Sequence, residues 1–308
     1  MDMNILVTVS QGYCRYMLAM LKSLFKHNKC KINVYLLYSR IDDAMLDKAR
    51  KFIEKSGNCF QPIKVGEDVF SDAPVNMHFT KEMYYRLLAG NMLPESVDRV
   101  LYMDPDILIR GSVEEFYNLP FDDKLLIAMP DPPQINDPKC PDNRPHWQRL
   151  GIEENSVYIN SGVLLMNLSL MRERNFDVNS IFEIINEKSG DLLYPDQDAI
   201  NVYFRDSMKI WKNLYNYNPG LLANEVIKWG LSKKYRRREN PIIVHFMGPV
   251  KPWSIHYRNK YCYEYQEIYK QFAPVWYRMI CPFRPLVAVC GYVLTVFCMV
   301  LHIPRPGK

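Results

Sequence analysis

The chain has 308 residues, 48% of them hydrophobic and 24% charged, which is enough to bury a large core and unlike the composition of a disordered protein. A net charge of +5 is too mild to imply a nucleic-acid partner, and eight scattered cysteines with no Cys-x-x-Cys pair suggest neither a zinc site nor a disulfide framework. Met1 to Ile5 runs straight into a strand-like segment without a signal peptide, so free thiols point to the cytoplasm.

In chain order, Met3 to Val9 is a short apolar run that reads as a buried first strand. Tyr13 to His27 repeats apolar residues at helical spacing (Met17, Leu18, Leu21, Leu24, Phe25), and Ile32 to Tyr38 is a second strand. A strand–helix–strand opening predicts a right-handed βαβ unit and a parallel sheet. Asp42 caps a helix through Lys55, and a third strand lies near Phe60 to Val65. A loop from Gly66 to His78 follows, then a helix from Lys81 to Met92 opened by Thr80. Arg99 to Met103 is a strand that ends in Asp104-Pro105-Asp106, and Leu125 to Met129 is another. Asp131 to Arg149 carries five prolines and reads as a long irregular excursion, the kind of segment that serves as a lid, binding loop or linker. A strand (Gly162 to Leu168), helices (Asp177 to Lys188 and Asp196 to Arg205) and a strand (Ile242 to Phe246) complete the sheet-forming part. There is no internal repeat. No Gly-x-Gly-x-x-Gly follows the first strand, so a dinucleotide site is unsupported.

Asp104 and Asp106 flank Pro105 where an apolar strand runs out. Residues i and i+2 of an extended chain point to the same side, so both carboxylates can converge on one point. Proline fixes φ and lacks an N–H, which suits the last pairing position of a strand. Ligand sites in open α/β sheets lie beyond the carboxyl ends of strands. Two hard oxygen donors favour Mg²⁺ or Mn²⁺, whose coordination phosphates and water commonly complete. The same pair alone is also an ordinary acidic turn. His245 ends the apolar strand Ile242-Ile243-Val244, and an imidazole beside two carboxylates shifts preference towards Mn²⁺, although a histidine there alone is an ordinary core-edge residue. Gly248 permits close backbone approach to a ligand, and Lys251 can reach a diphosphate as a point charge.

Four blocks occur in this order: Leu101-Tyr102-Met103-Asp104-Pro105-Asp106, Tyr158-Ile159-Asn160-Ser161-Gly162-Val163, Pro195-Asp196-Gln197-Asp198-Ala199-Ile200-Asn201, and His245 through Trp253. Together they resemble glycosyltransferase family 8, which includes bacterial lipooligosaccharide galactosyltransferases, lipopolysaccharide glucosyltransferases and glycogenin. The resemblance spans about Met3 to Trp253. It implies an α/β, Rossmann-like GT-A fold, a UDP-glucose or UDP-galactose donor, Mn²⁺ (or Mg²⁺) as cofactor, and retention of anomeric configuration. Carried over by position, Asp104, Asp106 and His245 resemble the metal ligands, and Gly248 and Lys251 the diphosphate contacts. Thr8, Ser10, Tyr13, Arg86, Pro105, Asn160 and Ser161 fall at donor-binding positions. Asp196 and Gln197 fall beside the reacting sugar, with Gln197 nearest the reacting carbon. Where many members carry an acidic residue after the first strand, this chain has Ser10-Gln11-Gly12-Tyr13, in which serine or glutamine can hydrogen-bond a base edge.

Breaking the bond to a nucleoside diphosphate builds negative charge on its oxygens and makes the sugar carbon cationic. Gln197 is a poor nucleophile, so front-face attack is expected, with Gln197 and Asp196 positioning the sugar. For Asp196 taken alone, a helix N-cap is the competing reading. His78 and Asp131 lie in loops where an acceptor could dock.

The sequence divides into a catalytic domain, 1–253, and a basic, aromatic tail, 254–308. From Lys251 onward eight basic side chains face two acidic ones, so that stretch carries +6 and the first 250 residues −1. Tyrosines and tryptophan interleaved with Arg and Lys suit an anionic membrane surface. The uncharged run Leu286 to Leu301 would span only ~24 Å as a helix against a ~30 Å hydrocarbon core. That length fits a peripheral or re-entrant anchor, or else a buried C-terminal helix. A membrane-surface enzyme would meet a lipid-linked or cell-envelope saccharide. The competing functions are a nucleotidyltransferase, which wants a Gly-rich phosphate loop, a phosphatase, which wants a Thr after the second Asp, and a non-catalytic, membrane-recruited nucleotide-sugar-binding protein.

Overall fold

The computed structural model describes residues 2–66, 69–70, 81–131, 146–153, 156–211, 214–219, 240–248, 251–254 and 260–283. The apolar run at the start forms β1 (Met3–Thr8), followed by α1 (Cys14–His27), β2 (Ile32–Tyr38), α2 (Asp43–Lys55) and β3 (Cys59–Lys64). Asp42 does cap α2, its carboxylate accepting the Met45 N–H at 2.7 Å. After α3 (Ala89–Met92) come β4 (Arg99–Met103), β5 (Ile107–Ile109), α4 (Glu114–Tyr117), β6 (Leu126–Pro130) and α5 (His146–Leu150). Then follow β7 (Ile159–Asn167), α6 (Leu168–Glu173), α7 (Val178–Glu187), α8 (Pro195–Tyr203), β8 (Met208–Ile210) and β9 (Ile243–His245).

Seven strands form one sheet in the order β3-β2-β1-β4-β7-β6-β8, and β5 pairs with β9 in a small second sheet. The first four strands are parallel, as the βαβ opening predicts. Beyond these four the predicted parallel pairing does not continue, because β7 runs antiparallel to both β4 and β6. Apolar periodicity carries no strand direction, so a reversal inside the sheet leaves no mark in it. The main sheet is buried on both faces: Ile5 and Val7 of β1 enter one hydrophobic cluster and Leu6 enters the other.

The predicted helix over Lys81 to Met92 is instead a 3₁₀ segment, Lys81–Leu88, that runs into α3. Tyr84, Tyr85, Arg86, Leu87 and Leu88 are all buried, and five consecutive buried side chains do not fit the one-sided stripe of an amphipathic α-helix.

The tail also departs from its sequence reading. Helix Lys260–Tyr269 buries Tyr261, Cys262, Tyr265 and Tyr269, and Phe272 and Tyr277 join them in the larger core. Tyr16 of α1 stacks on Trp253 with ring centroids 3.6 Å apart and planes 8° apart, and it also touches Tyr269. Among the described residues of the tail, most of the aromatics are therefore core residues of the folded domain. Tyr263 and Trp276 remain exposed. No described helix is long and apolar enough to cross a membrane, and the run from 286 to 301 lies outside the described residues.

Candidate active site

The site forms where β4 and β9 end. The Asp104 N–H continues the ladder to β7 by donating to the Gly162 carbonyl at 2.9 Å. Beyond Pro105, pairing of β5 with β9 sets Ile107 opposite His245. That register brings the imidazole to the two carboxylates: Nε2 lies 3.6 Å from Asp104 Oδ2 and 3.3 Å from Asp106 Oδ1. One ligand atom from each of the three residues lies within 4.8 Å of the others. Asp106 and His245 are buried, while Asp104 is half-buried.

Two residues that the sequence reading gave no role hold this cluster in place. Asn216 Oδ1 lies 2.9 Å from His245 Nδ1, so Nδ1 donates its proton to the amide oxygen and the ring is held with Nε2 facing the carboxylates. Gly162 passes directly beneath. A Cβ there would sit 2.2 Å from His245 Cε1 and 2.7 Å from Asp104 Oδ2, so any side chain displaces both. Two hard oxygens and one imidazole nitrogen in so tight a cradle fit a divalent first-row ion.

Lys251 donates to Asp106 Oδ2 at 2.5 Å and to the Phe246 carbonyl at 3.2 Å. Burial pushes the Asp106 carboxyl up, but Lys251 and His245 outweigh it and hold the group below the usual carboxylate range. Burial opposes the charge on Lys251, which Asp106 nonetheless holds on above its ordinary value. Gly248 has φ +88° with no atom within 4 Å of a built Cβ, so the backbone conformation demands glycine there rather than tight packing. Tyr13 lies within electrostatic reach of Lys251 and Asp106 and meets Trp253 edge-on.

Arg86 joins this cluster to a second one. Its buried guanidinium lies 3.4 Å from both Asp104 Oδ1 and Asp196 Oδ2, donates to the Ser161 carbonyl at 2.6 Å, and stacks over Tyr102. Asp196 is not an N-cap. Tyr194 occupies that position, Pro195 takes the first helical position, and Asp196 points to Arg86. Burial raises its carboxyl to about 6, against the pull of Arg86.

Gln197 is saturated with partners. Its Oε1 accepts from Asn160 Nδ2 at 2.8 Å and from the Ser161 N–H at 3.0 Å. Its Nε2 donates to Asp131 Oδ2 at 2.9 Å and to the Tyr158 hydroxyl at 3.1 Å. Asn160 in turn accepts from Asn216, so the two clusters share one network. Asp131, expected in an acceptor loop, therefore sits against Gln197, and burial raises its carboxyl. His78 lies outside the described residues. At the mouth of β1, the Thr8 hydroxyl approaches that of Tyr102 at 3.4 Å, Gln11 is bound to Asp42, and Ser10 is partly exposed.

The family described as Glycosyl transferase family 8 matches residues 4–256. The chain belongs to that family. It is a glycosyltransferase with a GT-A fold, its mixed sheet continuing the parallel half that carries Asp104 and Asp106. General stress protein A of Bacillus subtilis is 25% identical over 277 residues, covering 85% of this chain and 91% of that protein. Lipopolysaccharide 1,2-glucosyltransferase of Escherichia coli K12 is 22% identical over 252 residues, 82% of this chain and 72% of the relative. Among solved structures, the galactosyltransferase LgtC in complex with donor and acceptor sugar analogues superposes with a TM-score of 0.76 at 24% identity, covering 90% of this chain and 99% of LgtC. In this family member the four blocks read from the sequence meet at one place, joined by Asn216, Gly162 and Tyr158.

Proposed function

We propose that the protein is a retaining, metal-dependent hexosyltransferase that moves glucose or galactose from UDP to a lipid-linked or cell-envelope saccharide. The observation that carries this reading is the junction of two clusters through Arg86: Asp104, Asp106, His245 and Lys251 on one side, Asp196 and Gln197 on the other. The relatives with lipopolysaccharide glucosyltransferase and galactosyltransferase activities support the hexose and the envelope acceptor.

Asp104, Asp106 and His245 would hold Mn²⁺ or Mg²⁺, with the imidazole favouring Mn²⁺. A divalent ion there supplies Lewis-acid neutralisation of the leaving diphosphate. Lys251 adds a fixed positive charge beside the same phosphates once substrate competes for its bond to Asp106. Arg86 keeps its charge between Asp104 and Asp196 and holds both carboxylates in register. Asp196 lends negative charge near the carbon that turns cationic. Gln197 cannot serve as a nucleophile at neutral pH, so it positions the sugar while the acceptor attacks from the face the diphosphate leaves.

For peripheral attachment to an anionic membrane surface, support comes from the short helix Val275–Ile280. It exposes Val275, Trp276, Met279 and Ile280 around Arg278, while Tyr277 anchors its other side in the core. Such a contiguous exposed apolar set with a cation suits a headgroup interface.

A donor panel tests the reading. With Mn²⁺ and no acceptor, slow UDP release is expected from UDP-glucose or UDP-galactose and should disappear with EDTA. Equal release from UDP-N-acetylhexosamines and UDP-glucuronate, or release that ignores EDTA, would contradict it.

A further inference from the structure

Behind Gln197 lies a buried set of polar groups that substrate need not touch. Asp198, fully buried on α8, uses Oδ2 to accept the backbone N–H groups of Leu193 at 2.7 Å and Tyr194 at 2.9 Å. Its Oδ1 accepts the Tyr158 hydroxyl proton and faces His146 Nε2 at 2.8 Å. A carboxylate has about four acceptor positions, and here all four are filled. Asp198 thus has nothing left to offer a sugar and serves as an anchor.

The proton directions follow from these partners. Tyr158 has one hydroxyl proton and gives it to Asp198, so its oxygen is an acceptor toward Gln197 Nε2. Arg149 Nη2 faces His146 Nδ1 at 3.3 Å, and a guanidinium only donates. His146 Nδ1 is therefore the acceptor toward Arg149, and Nε2 donates to Asp198. The resulting order is fixed from end to end: Arg149 to His146, His146 to Asp198, Tyr158 to Asp198, Gln197 to Tyr158. A flipped Gln197 would aim its carbonyl at the Asp131 carboxylate and its NH₂ at two donors.

We propose that His146, Asp198 and Tyr158 are positioning residues that fix the orientation of the Gln197 carboxamide, with Nε2 toward Asp131 and Oε1 toward Asn160 and Ser161. Asp131 and His146 lie on either side of the stretch 132–145, so chain positions flanking that stretch both reach Gln197, one directly and one through Asp198. The consequence for turnover rests on the donor-sugar role given to Gln197 above. The orientation itself does not.

The test uses full-length protein labelled with ¹⁵N-glutamine, the Gln197 side-chain amide being assigned by its loss in Gln197→Ala. In the wild type the two Gln197 amide protons exchange slowly with solvent. In Tyr158→Phe, which keeps the ring and removes the acceptor, exchange should speed up by about tenfold or more, as for loss of one buried hydrogen bond. His146→Ala should do the same, and His146→Gln, whose amide can replace the Nε2 donor, should restore protection. UDP release from UDP-glucose or UDP-galactose should fall about tenfold in kcat for Tyr158→Phe, with KM within about twofold. Wild-type exchange rates in folded Tyr158→Phe would overturn the proposal, as would a His146→Gln protein indistinguishable from His146→Ala. Should Tyr158→Phe fail to fold, the two His146 variants decide by the same criterion. If the wild type releases no UDP from either donor, the donor reading fails while the exchange rates still judge the orientation.

Discussion

The two halves of the site are built on opposite electrostatic plans. Around Asp106 the partners are charged and competing: Lys251 and His245 both face the same buried carboxylate, and Asp104 is shared with Arg86. Around Gln197 the partners are mostly neutral and complete, each amide and hydroxyl atom matched to a donor or acceptor. A region held by charge pairs can exchange one partner for an incoming ion or phosphate at modest reorganisation. A region of saturated hydrogen bonds cannot rearrange without leaving buried polar atoms unmet, so it arrives preorganised. The first half is suited to bind, and the second to position.

The comparison breaks most severely at the charged half. Asp106→Asn and His245→Ala should each lower Mn²⁺-dependent turnover by about 10³ or more, since each removes a ligand and a partner of a neighbouring charge. Steady-state UDP release at limiting Mn²⁺, with circular dichroism to confirm folding, measures this. Near-normal activity in either variant would remove the distinction between the halves.

In the neutral half, Gln197→Ala should cost about 10²–10³ in kcat, the loss expected for one preorganised group, with little change in UDP affinity. Measured UDP binding that collapses while saturated turnover stays normal would move Gln197 out of the positioning half.

Gly162 sharpens the comparison because its N–H donates to Asn160 of the neutral half, whereas a side chain placed there would meet His245 and Asp104 of the charged half. Gly162→Ala forces a methyl group into His245 and Asp104, and should weaken Mn²⁺ affinity about 10–100-fold, as loss of an outer support does. A Mn²⁺ titration of the variant would show it, and unchanged affinity would mean the cluster repacks freely.

How much of this was legible in sequence follows from the same contrast. Asp104, Asp106 and His245 announce themselves because each ends an apolar strand, and strand ends are where α/β sheets expose chemistry. The fold's first half was equally open to reading, since alternating apolar strands and an amphipathic helix imply parallel pairing. Asn216 carries no such mark. It lies in a stretch between α8 and β9 without periodicity, and only the three-dimensional register brings it to His245. His146 follows a proline-rich segment and looks like a loop residue, yet it is buried against Asp198. The burial of Tyr265 and Tyr269 was not legible for another reason: a tyrosine packed in the core and one facing lipid have the same composition, and only the fold separates them.

The smallest effect concerns stability. Asp196 titrates near 6 in the folded protein rather than at 3.8, because burial disfavours its charge. A raised pKa means the folded state binds the proton more tightly. The group's contribution to stability is thus fully present below about pH 4 and is lost as pH rises through 6. Asp196→Asn removes that loss, which is about 3 kcal/mol at most for two pKa units. The variant should melt at the wild-type temperature near pH 4 and about 5 °C higher at pH 8. A melting temperature that falls at pH 8 would show that the ion pair with Arg86 outweighs burial.

The central claim is that Asp104, Asp106 and His245 supply the ligands of a divalent-ion site and that Gln197, although joined to them through Asn160 and Asn216, is not one of those ligands. Titration of Mn²⁺ into the UDP-bound protein, followed by the loss of the free-ion electron paramagnetic resonance signal, tests it directly. One tight site is predicted in the wild type and in Gln197→Ala, absent from His245→Ala and Asp106→Asn. Full Mn²⁺ binding in His245→Ala, or its loss in Gln197→Ala, would contradict the account.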